Sequence, residues 1–268
     1  MKTITSRQNP LVARFRAVVR ARRSHRRQLL LEGAKLIEDA SAAGIPIEVA
    51  VVSSAELRRR NRELTALADG LTATGVTVAA ATDEVLSRLS PARSPSGAVA
   101  IATHQPVKLR NVYNSEGLTL APVGVQDPGN VGALIRAADA GAASGVVVTS
   151  GSADPFGWRA LRGAMGSSFR LPVADIDHIS GAVAVARELG VGIIAAVPRG
   201  GMSLYAVDLT EPQLVFLGSE GVGLDDDTLA LADARVTVPM RRPVQSLNIA
   251  VAAAVIVYEA YRQRKGWS

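Results

Sequence analysis

Three short stretches in the second half of the chain place polar groups able to do chemistry among glycines and small residues. They are DPGNVGALIR (127–136), LGSEGVGL (217–224) and VPMRRPVQSLN (238–248). Each follows an apolar, strand-like run and leads towards a helix-like one, which is where open α/β sheets bind ligands. In the first stretch Asn130 reads as a helix N-cap, because its side chain can accept an amide proton of the first turn. Val131, Leu134, Ile135 and Ala138 then follow at core-facing spacing, with Arg136 off that stripe. Helix side chains lean towards the N-terminus, so the Arg136 guanidinium is expected to reach back over Gly132. Gly129 and Gly132 would leave room there for a large ligand. In the second stretch Gly218, Gly221 and Gly223 allow a ligand to approach the backbone closely, and Glu220 puts a carboxylate inside the turn. In the third, Ser246 can cap the last helix, with Asn248 in its first turn. Taken singly, each stretch is equally well a surface arginine, a strand-to-helix turn or a packed terminal helix.

Several chemistries are excluded. The chain has no cysteine, so disulfides, thiolate metal sites and cysteine nucleophiles are absent, and its three widely spaced histidines (His25, His104, His178) argue against a histidine metal cluster. Neither a G-x-G-x-x-G turn after a first strand nor a G-x-x-x-x-G-K-[ST] loop occurs. The longest apolar run, 249–258, falls well short of the ~20 residues of a membrane span. A cytoplasmic location is expected.

Charge is divided unevenly. Residues 1–110 carry eighteen Lys and Arg against nine Asp and Glu, whereas residues 111–268 carry a small acidic excess. The first acidic residue, Glu32, comes only after the run RARRSHRR (20–27), in which Arg20, Arg22, Arg23, Arg26 and Arg27 are candidates for polyanion contact. The asymmetry over the whole half favours nucleic acid as partner.

The hydropathy pattern predicts two α/β series. In the first, 32–43 and 56–71 read as helices, the second broken at Gly70; 47–52, 76–80 and 98–102 read as strands, and 83–89 as a short helix. A polar segment, 104–117, reads as the linker. The second series has apolar strands near 118–125, 145–150, 171–176, 191–197, 213–218 and 235–240. Helices are expected over 130–141, 157–165 and 179–189, with a long one from about Leu247.

In this order and spacing the three stretches resemble the motifs of the SpoU (TrmH-like) branch of the SPOUT RNA methyltransferases. The match rests on Asn130-Val131-Gly132-Ala133-Leu134-Ile135-Arg136, then Leu217-Gly218-Ser219-Glu220-Gly221-Val222-Gly223-Leu224, then Val238-Pro239-Met240 with Ser246-Leu247-Asn248. SRQNPLVARFRAV and LLLEGAKLIEDA are similar to the substrate-binding domain that accompanies this family, related in fold to ribosomal protein L30e. The chain departs from the family's R-A-S-x-G pattern: Arg162-Gly163-Ala164-Met165-Gly166-Ser167 puts Ala164 where a serine is usual, and leaves Ser167 or Ser168 as replacements.

The resemblance implies an α/β fold with an L30e-like domain over 1–105, a linker over 106–117 and a SPOUT domain over 118–268. That second domain would have a parallel sheet and a trefoil knot at its C-terminus. It implies S-adenosylmethionine as cofactor, held by Leu217, Gly218, Gly221, Val238, Met240 and Leu247, and a homodimer with sites at the subunit interface. Asn130, Arg136, Glu220, Ser246 and Asn248 would be the polar catalytic set. The implied reaction is methyl transfer to a ribose 2′-hydroxyl of RNA. Large-subunit ribosomal RNA is favoured by the dedicated N-terminal domain, with tRNA methylation, resistance methylation of ribosomal RNA and a non-catalytic L30e-type RNA-binding protein as alternatives. Arginine stays protonated up to roughly pH 12.5–13.8, so Arg136 suits electrostatic clamping of phosphate and ribose oxygen better than proton abstraction.

Overall fold

The computed structural model describes residues 1, 3–21, 23, 28–103, 107–113 and 117–266. The chain forms two compact units, one of residues 1–105 with 156–162, the other of residues 106–155 with 163–268.

The first unit contains β1 (Thr3–Ile4), α1 (Pro10–Arg20), β2 (Gln28–Glu32), α2 (Ala34–Ala42), β3 (Ile47–Ser53), α3 (Ser54–Arg58), α4 (Arg62–Ala73), β4 (Thr77–Ala81), α5 (Asp83–Leu89) and β5 (Ala98–Thr103). Its sheet runs β1-β4-β3-β5-β2, with β1, β4 and β3 parallel and β5 antiparallel to both β3 and β2. Asn9 caps α1 by accepting the Leu11 amide at 3.0 Å, and Pro10 follows at a first-turn position where no amide proton is needed. Val12, Phe15 and Val18 then point from α1 into a core shared with Leu30, Val51, Leu89 and Ile101.

Two expected helices are corrected here. The helix expected from Glu32 begins only at Ala34, because Glu32 is the last residue of a strand, 28–32, that the pattern did not reveal. Leu29, Leu30 and Leu31 are all buried, because β2 pairs with β5 and is covered on both faces, so no period-2 alternation marks it. The stretch 56–71 is two helices. Asn61 starts the second by accepting the Leu64 amide at 3.2 Å, whereas Gly70 simply continues α4 on an open surface.

Within 104–117, residues 104–106 and 114–116 lie outside the described ones. Leu109–Val112 form a 3-10 turn whose Val112 is buried in the second unit's core. The Tyr113 hydroxyl donates to the Ala182 carbonyl at 2.8 Å, and burial pushes its ionisation well above the ordinary tyrosine value.

From Leu118 onward the chain forms β6 (Leu118–Val123), α6 (Pro128–Ala140), β7 (Gly145–Thr149), α7 (Trp158–Ala164), α8 (Ser167–Arg170), β8 (Val173–Ile176), α9 (Ile179–Glu188), β9 (Gly192–Ala196), β10 (Met202–Ser203), β11 (Gln213–Gly218), α10 (Asp226–Ala230), β12 (Ala234–Thr237) and α11 (Ile249–Lys265). All of these belong to the second unit except the start of α7, which groups with the first. The seven strands are parallel, in the order β10-β12-β9-β11-β6-β7-β8. From β6 the chain steps outward to β7 and β8, then crosses to β9 and returns to insert β11 beside β6. Strand order therefore reverses at β6/β11, and a crevice opens beyond the carboxyl ends of these two strands. Register brings Gly218 opposite Val123, so the loops leaving both strands start side by side. Behind them α11 packs on α6 so closely that a Cβ on Gly141 would lie 2.1 Å from Val257 Cγ1.

No described helix is long and apolar enough to cross a membrane, and no group of three potential metal ligands occurs among the described residues.

Candidate active site

The α6 stripe is as the spacing predicts: Val131, Leu134, Ile135 and Ala138 are fully buried. Its cap is not. Asp127 accepts the Asn130 amide at 2.8 Å, and Pro128 takes the first helical position, so Asn130 lies inside the first turn. This frees the Asn130 side chain from capping and turns it towards the crevice. At the other helix, Asn248 rather than Ser246 is the cap, accepting the amides of Ala250 at 3.0 Å and Val251 at 3.4 Å.

Between these helix starts lies Glu220, in the loop that leaves β11. Its Oε1 accepts from Asn130 Nδ2 at 3.1 Å, from Asn248 Nδ2 at 2.6 Å and from the Ile249 amide at 3.2 Å. Asn248 Nδ2 also donates to Asn130 Oδ1 at 3.0 Å, closing a three-residue cluster. A carboxylate held at the N-terminus of the 17-residue α11 is favoured by the amides that point at it. All three bonds go to Oε1, which leaves Oε2 available to a ligand.

Beside the cluster is a cavity of about 330 Å3, within the range of small-molecule sites. The expected cofactor residues Leu217, Gly218, Gly221, Val238, Met240 and Leu247 all line it, together with Glu220 and Ser246. The loop after β11 folds back over its strand: Gly223 donates to the Ser219 carbonyl at 2.9 Å and adopts φ +76°. A Cβ on Gly218 would lie 2.4 Å from the Gly223 backbone carbon, so only glycine permits the fold-back. Apolar walls and exposed backbone amides and carbonyls suit a flat heteroaromatic ring that needs few side-chain partners. Beyond the loop Asp225 caps α10, and bonds from the Thr228 hydroxyl and amide hold its carboxyl below the usual range.

The sequence reading missed part of the wall. Ala196, Val197 and Pro198 at the end of β9 line the cavity, as do Ile249, Ala252 and Ile256 of α11. The signal for the first group was present: β9, which pairs with β11, runs into a Pro-Arg-Gly-Gly turn. The α11 residues carry no sequence signal beyond being apolar.

Three expectations change. Gly129 and Gly132 do not clear space for a ligand. Gly163 packs against them, and a Cβ there would lie 3.2 Å from the Gly129 carbonyl oxygen and 3.3 Å from Gly132 Cα. Small residues on both sides serve close backbone packing. Arg136 is exposed and makes no hydrogen bond or ion pair with a described residue, so within one chain it stands outside the Asn130–Glu220–Asn248 cluster. Six residues separate it from Asn130, about 9 Å along the helix axis and on a different side. At the departure from the R-A-S-x-G pattern, Ala164 is fully buried, Ser167 accepts from Arg170 at 3.2 Å, and Ser168 has a buried hydroxyl with no hydrogen-bond partner among the described residues. In the basic run Arg20 is exposed and Arg23 half-buried, whereas Arg22, Arg26 and Arg27 lie outside the described residues.

Residues 117–258 match the SpoU rRNA methylase family, more than half of the chain. The chain belongs to the SpoU rRNA methylase family. Residues 2–100 match the MRM3-like substrate-binding domain. Across 98% of this SpoU chain it is 35% identical to an uncharacterized tRNA/rRNA methyltransferase of Synechocystis, covering 94% of that protein. It is 30% identical to the 23S rRNA guanosine 2′-O-methyltransferase RlmP of Bacillus subtilis, over 96% of this chain and 98% of the relative. Among solved structures, the AdoMet-bound rRNA methyltransferase from Sinorhizobium meliloti superposes with a TM-score of 0.83 at 29% identity, covering 98% of both chains.

Proposed function

We propose that this SpoU protein transfers a methyl group from S-adenosylmethionine to a ribose 2′-hydroxyl of RNA, with 23S-type ribosomal RNA as substrate. The observation that carries the reading is the Asn130–Glu220–Asn248 cluster at the edge of the cavity. The full-length similarity to a 23S rRNA 2′-O-methyltransferase supports the substrate class. Leu217, Gly218, Gly221, Val238, Met240 and Leu247 would hold the cofactor, their apolar side chains against the adenine and their backbone groups supplying its polar partners. Bound S-adenosylmethionine supplies a methyl group made electrophilic by its sulfonium.

A ribose hydroxyl is a weak nucleophile, so the protein must orient it and accommodate its proton. Glu220 Oε2 accepts from the ribose, while the two asparagines and the Ile249 amide fix its partner oxygen. Ser246, on the same rim, adds a hydroxyl. Arg136 clamps an RNA phosphate and stabilises negative oxygen.

The protein acts as a homodimer through its second unit. The first ten residues of α11, 249–258, are apolar all round, and Val251 and Tyr258, two turns apart on one face, remain about half exposed. A second copy covers that face, and Arg136 then serves the site of the partner copy. The C-terminal segment forms the family's trefoil knot, the protein is cytoplasmic, and Arg20, Arg22, Arg23, Arg26 and Arg27 contact RNA phosphates. Incubating the full chain with tritiated S-adenosylmethionine and a mixture of deproteinised ribosomal RNA and tRNA tests the activity. Label is expected in the large-subunit RNA, and label confined to tRNA would overturn the substrate class.

A further inference from the structure

Helices α1 and α5 of the first unit enclose a groove of about 240 Å3, lined by Arg16, Val19, Arg20, Ser87, Arg88 and Ser90. Three arginines, Arg16, Arg20 and Arg88, line it, and none makes a hydrogen bond or ion pair with a described residue. Arg16 and Arg20 stand one turn apart on α1, a like-charge spacing that is mildly destabilising by itself. Glu84 is placed at the i,i+4 spacing that would neutralise Arg88, yet its carboxylate pairs with Arg7 instead. Glu48, the partner of Arg14, is likewise engaged away from the groove. The fold thus gathers three positive charges, with Glu84 and Glu48 paired to other arginines and Glu32 buried behind Ser90, where it is held by serine donors. Such an arrangement is relieved by a bound anion, to which the guanidiniums offer charge-assisted hydrogen bonds, while the Ser87 and Ser90 hydroxyls donate within the protein to the Glu84 carbonyl and to Glu32.

We propose that this groove is a phosphate-binding site for the RNA backbone, which adds Arg16 and Arg88 to Arg20 as RNA contacts. The inference rests on the RNA methyltransferase reading for the identity of the polyanion. On the far side of Ser87 the neighbouring recess presents the carboxylates of Glu56, Glu63 and Asp83. That wall repels phosphate, so the strand is confined to the arginine side of α5 and follows α1.

The test uses the full chain and a fluorescently labelled 20-nucleotide single-stranded RNA of mixed sequence, titrated at several KCl concentrations. The Arg16→Gln/Arg88→Gln double variant is expected to bind about tenfold more weakly at low salt. Its plot of log affinity against log salt should flatten by about 0.7 for each phosphate the variant no longer neutralises. Arg62→Gln, a surface arginine of α4 outside the groove, is the control and should leave the slope unchanged. An unchanged slope in the double variant, with thermal melting and S-adenosylmethionine affinity as in the wild type, would overturn the proposal. Saturable binding of inorganic phosphate that the double variant abolishes, without any change in the RNA slope, would assign the groove to a free anion and also overturn it. Methyl transfer is measured in parallel. A wild type that methylates RNA while the slopes stay equal defeats the groove alone, whereas one that methylates nothing yet shows groove-dependent RNA binding defeats the enzymatic reading alone.

Discussion

Glu220 Oε1 and Asn248 Nδ2 lie 2.6 Å apart, although 28 residues separate them in sequence. The hydrogen bond ties the loop leaving β11 to the first turn of α11, and Asn130 joins it from α6. Three elements that meet beyond the carboxyl ends of β6 and β11 are thereby locked around a single carboxylate oxygen. If Glu220 is the orienting acceptor for the ribose, Glu220→Gln should keep the fold and reduce kcat by at least about 100-fold, a loss typical of removing one preorganised polar group. Single-turnover methylation assays beside circular dichroism check this.

Gly218 and Gly221 make a matched pair of substitutions. Gly218→Ala drives a Cβ into the Gly223 backbone at 2.4 Å and must displace the loop. S-Adenosylmethionine affinity is expected to fall by at least tenfold, or about 1.4 kcal/mol. Gly221 has open space around its would-be Cβ and needs no left-handed backbone. Gly221→Ala should bind within about twofold of wild type by isothermal titration.

Gly163 holds two helices at backbone contact. Gly163→Ala is expected to cost about 1–3 kcal/mol through overpacking against Gly129 and Gly132. Urea unfolding should show a lower midpoint with an unchanged slope.

Acid should weaken the second unit through Glu259. Its carboxylate, nearly buried on α11, accepts from Arg262 at 2.8 and 2.9 Å and from Gln263 at 2.8 Å. Chiefly the Arg262 bonds hold it below the ordinary carboxyl value of 4.5. A lowered folded-state pKa gives stability that is present in full above the unfolded value and lost as pH falls through the folded one. Glu259→Gln is expected to lower stability at pH 7 by about 1 kcal/mol and to flatten its decline below about pH 4.5. Denaturation midpoints measured from pH 7 to pH 3 decide it.

A dimer whose sites draw Arg136 and Glu220 from different copies allows complementation. Arg136→Ala and Glu220→Gln should each be inactive alone. Mixed after dissociation and reassociation, they should regain about a quarter of wild-type activity, since half the dimers are mixed and each carries one intact site. No recovery would place both residues in the site of one chain.

The sequence made the chemistry more legible than the local geometry. Glycine spacing at 218, 221 and 223 marked a turn that a ligand could approach, because turn chemistry is written locally, whereas the rest of the cavity lining came from the family resemblance that the order of the three loops carries. The cap of α6 was misread because Asp127 and Asn130 are both good caps, and only Pro128 between them decides which one starts the helix. Residues 28–32 were hidden by burial on both faces, which erases the strand period. The α11 wall of the cavity and the packing role of Gly132 depend on which helices meet, and the chain states that only once it is folded.

The most direct measurement is the chemical position of the transferred methyl group. Large-subunit RNA labelled with tritium from S-adenosylmethionine by the wild-type chain is hydrolysed in alkali, and the products are separated by charge. A 2′-O-methyl group blocks attack by its own ribose oxygen on the neighbouring phosphate, so the label should emerge in alkali-resistant dinucleotides and should be absent with Glu220→Gln. Label in mononucleotides would place the methyl on a base, and undiminished label with Glu220→Gln would remove the carboxylate from the reaction; either result contradicts the account.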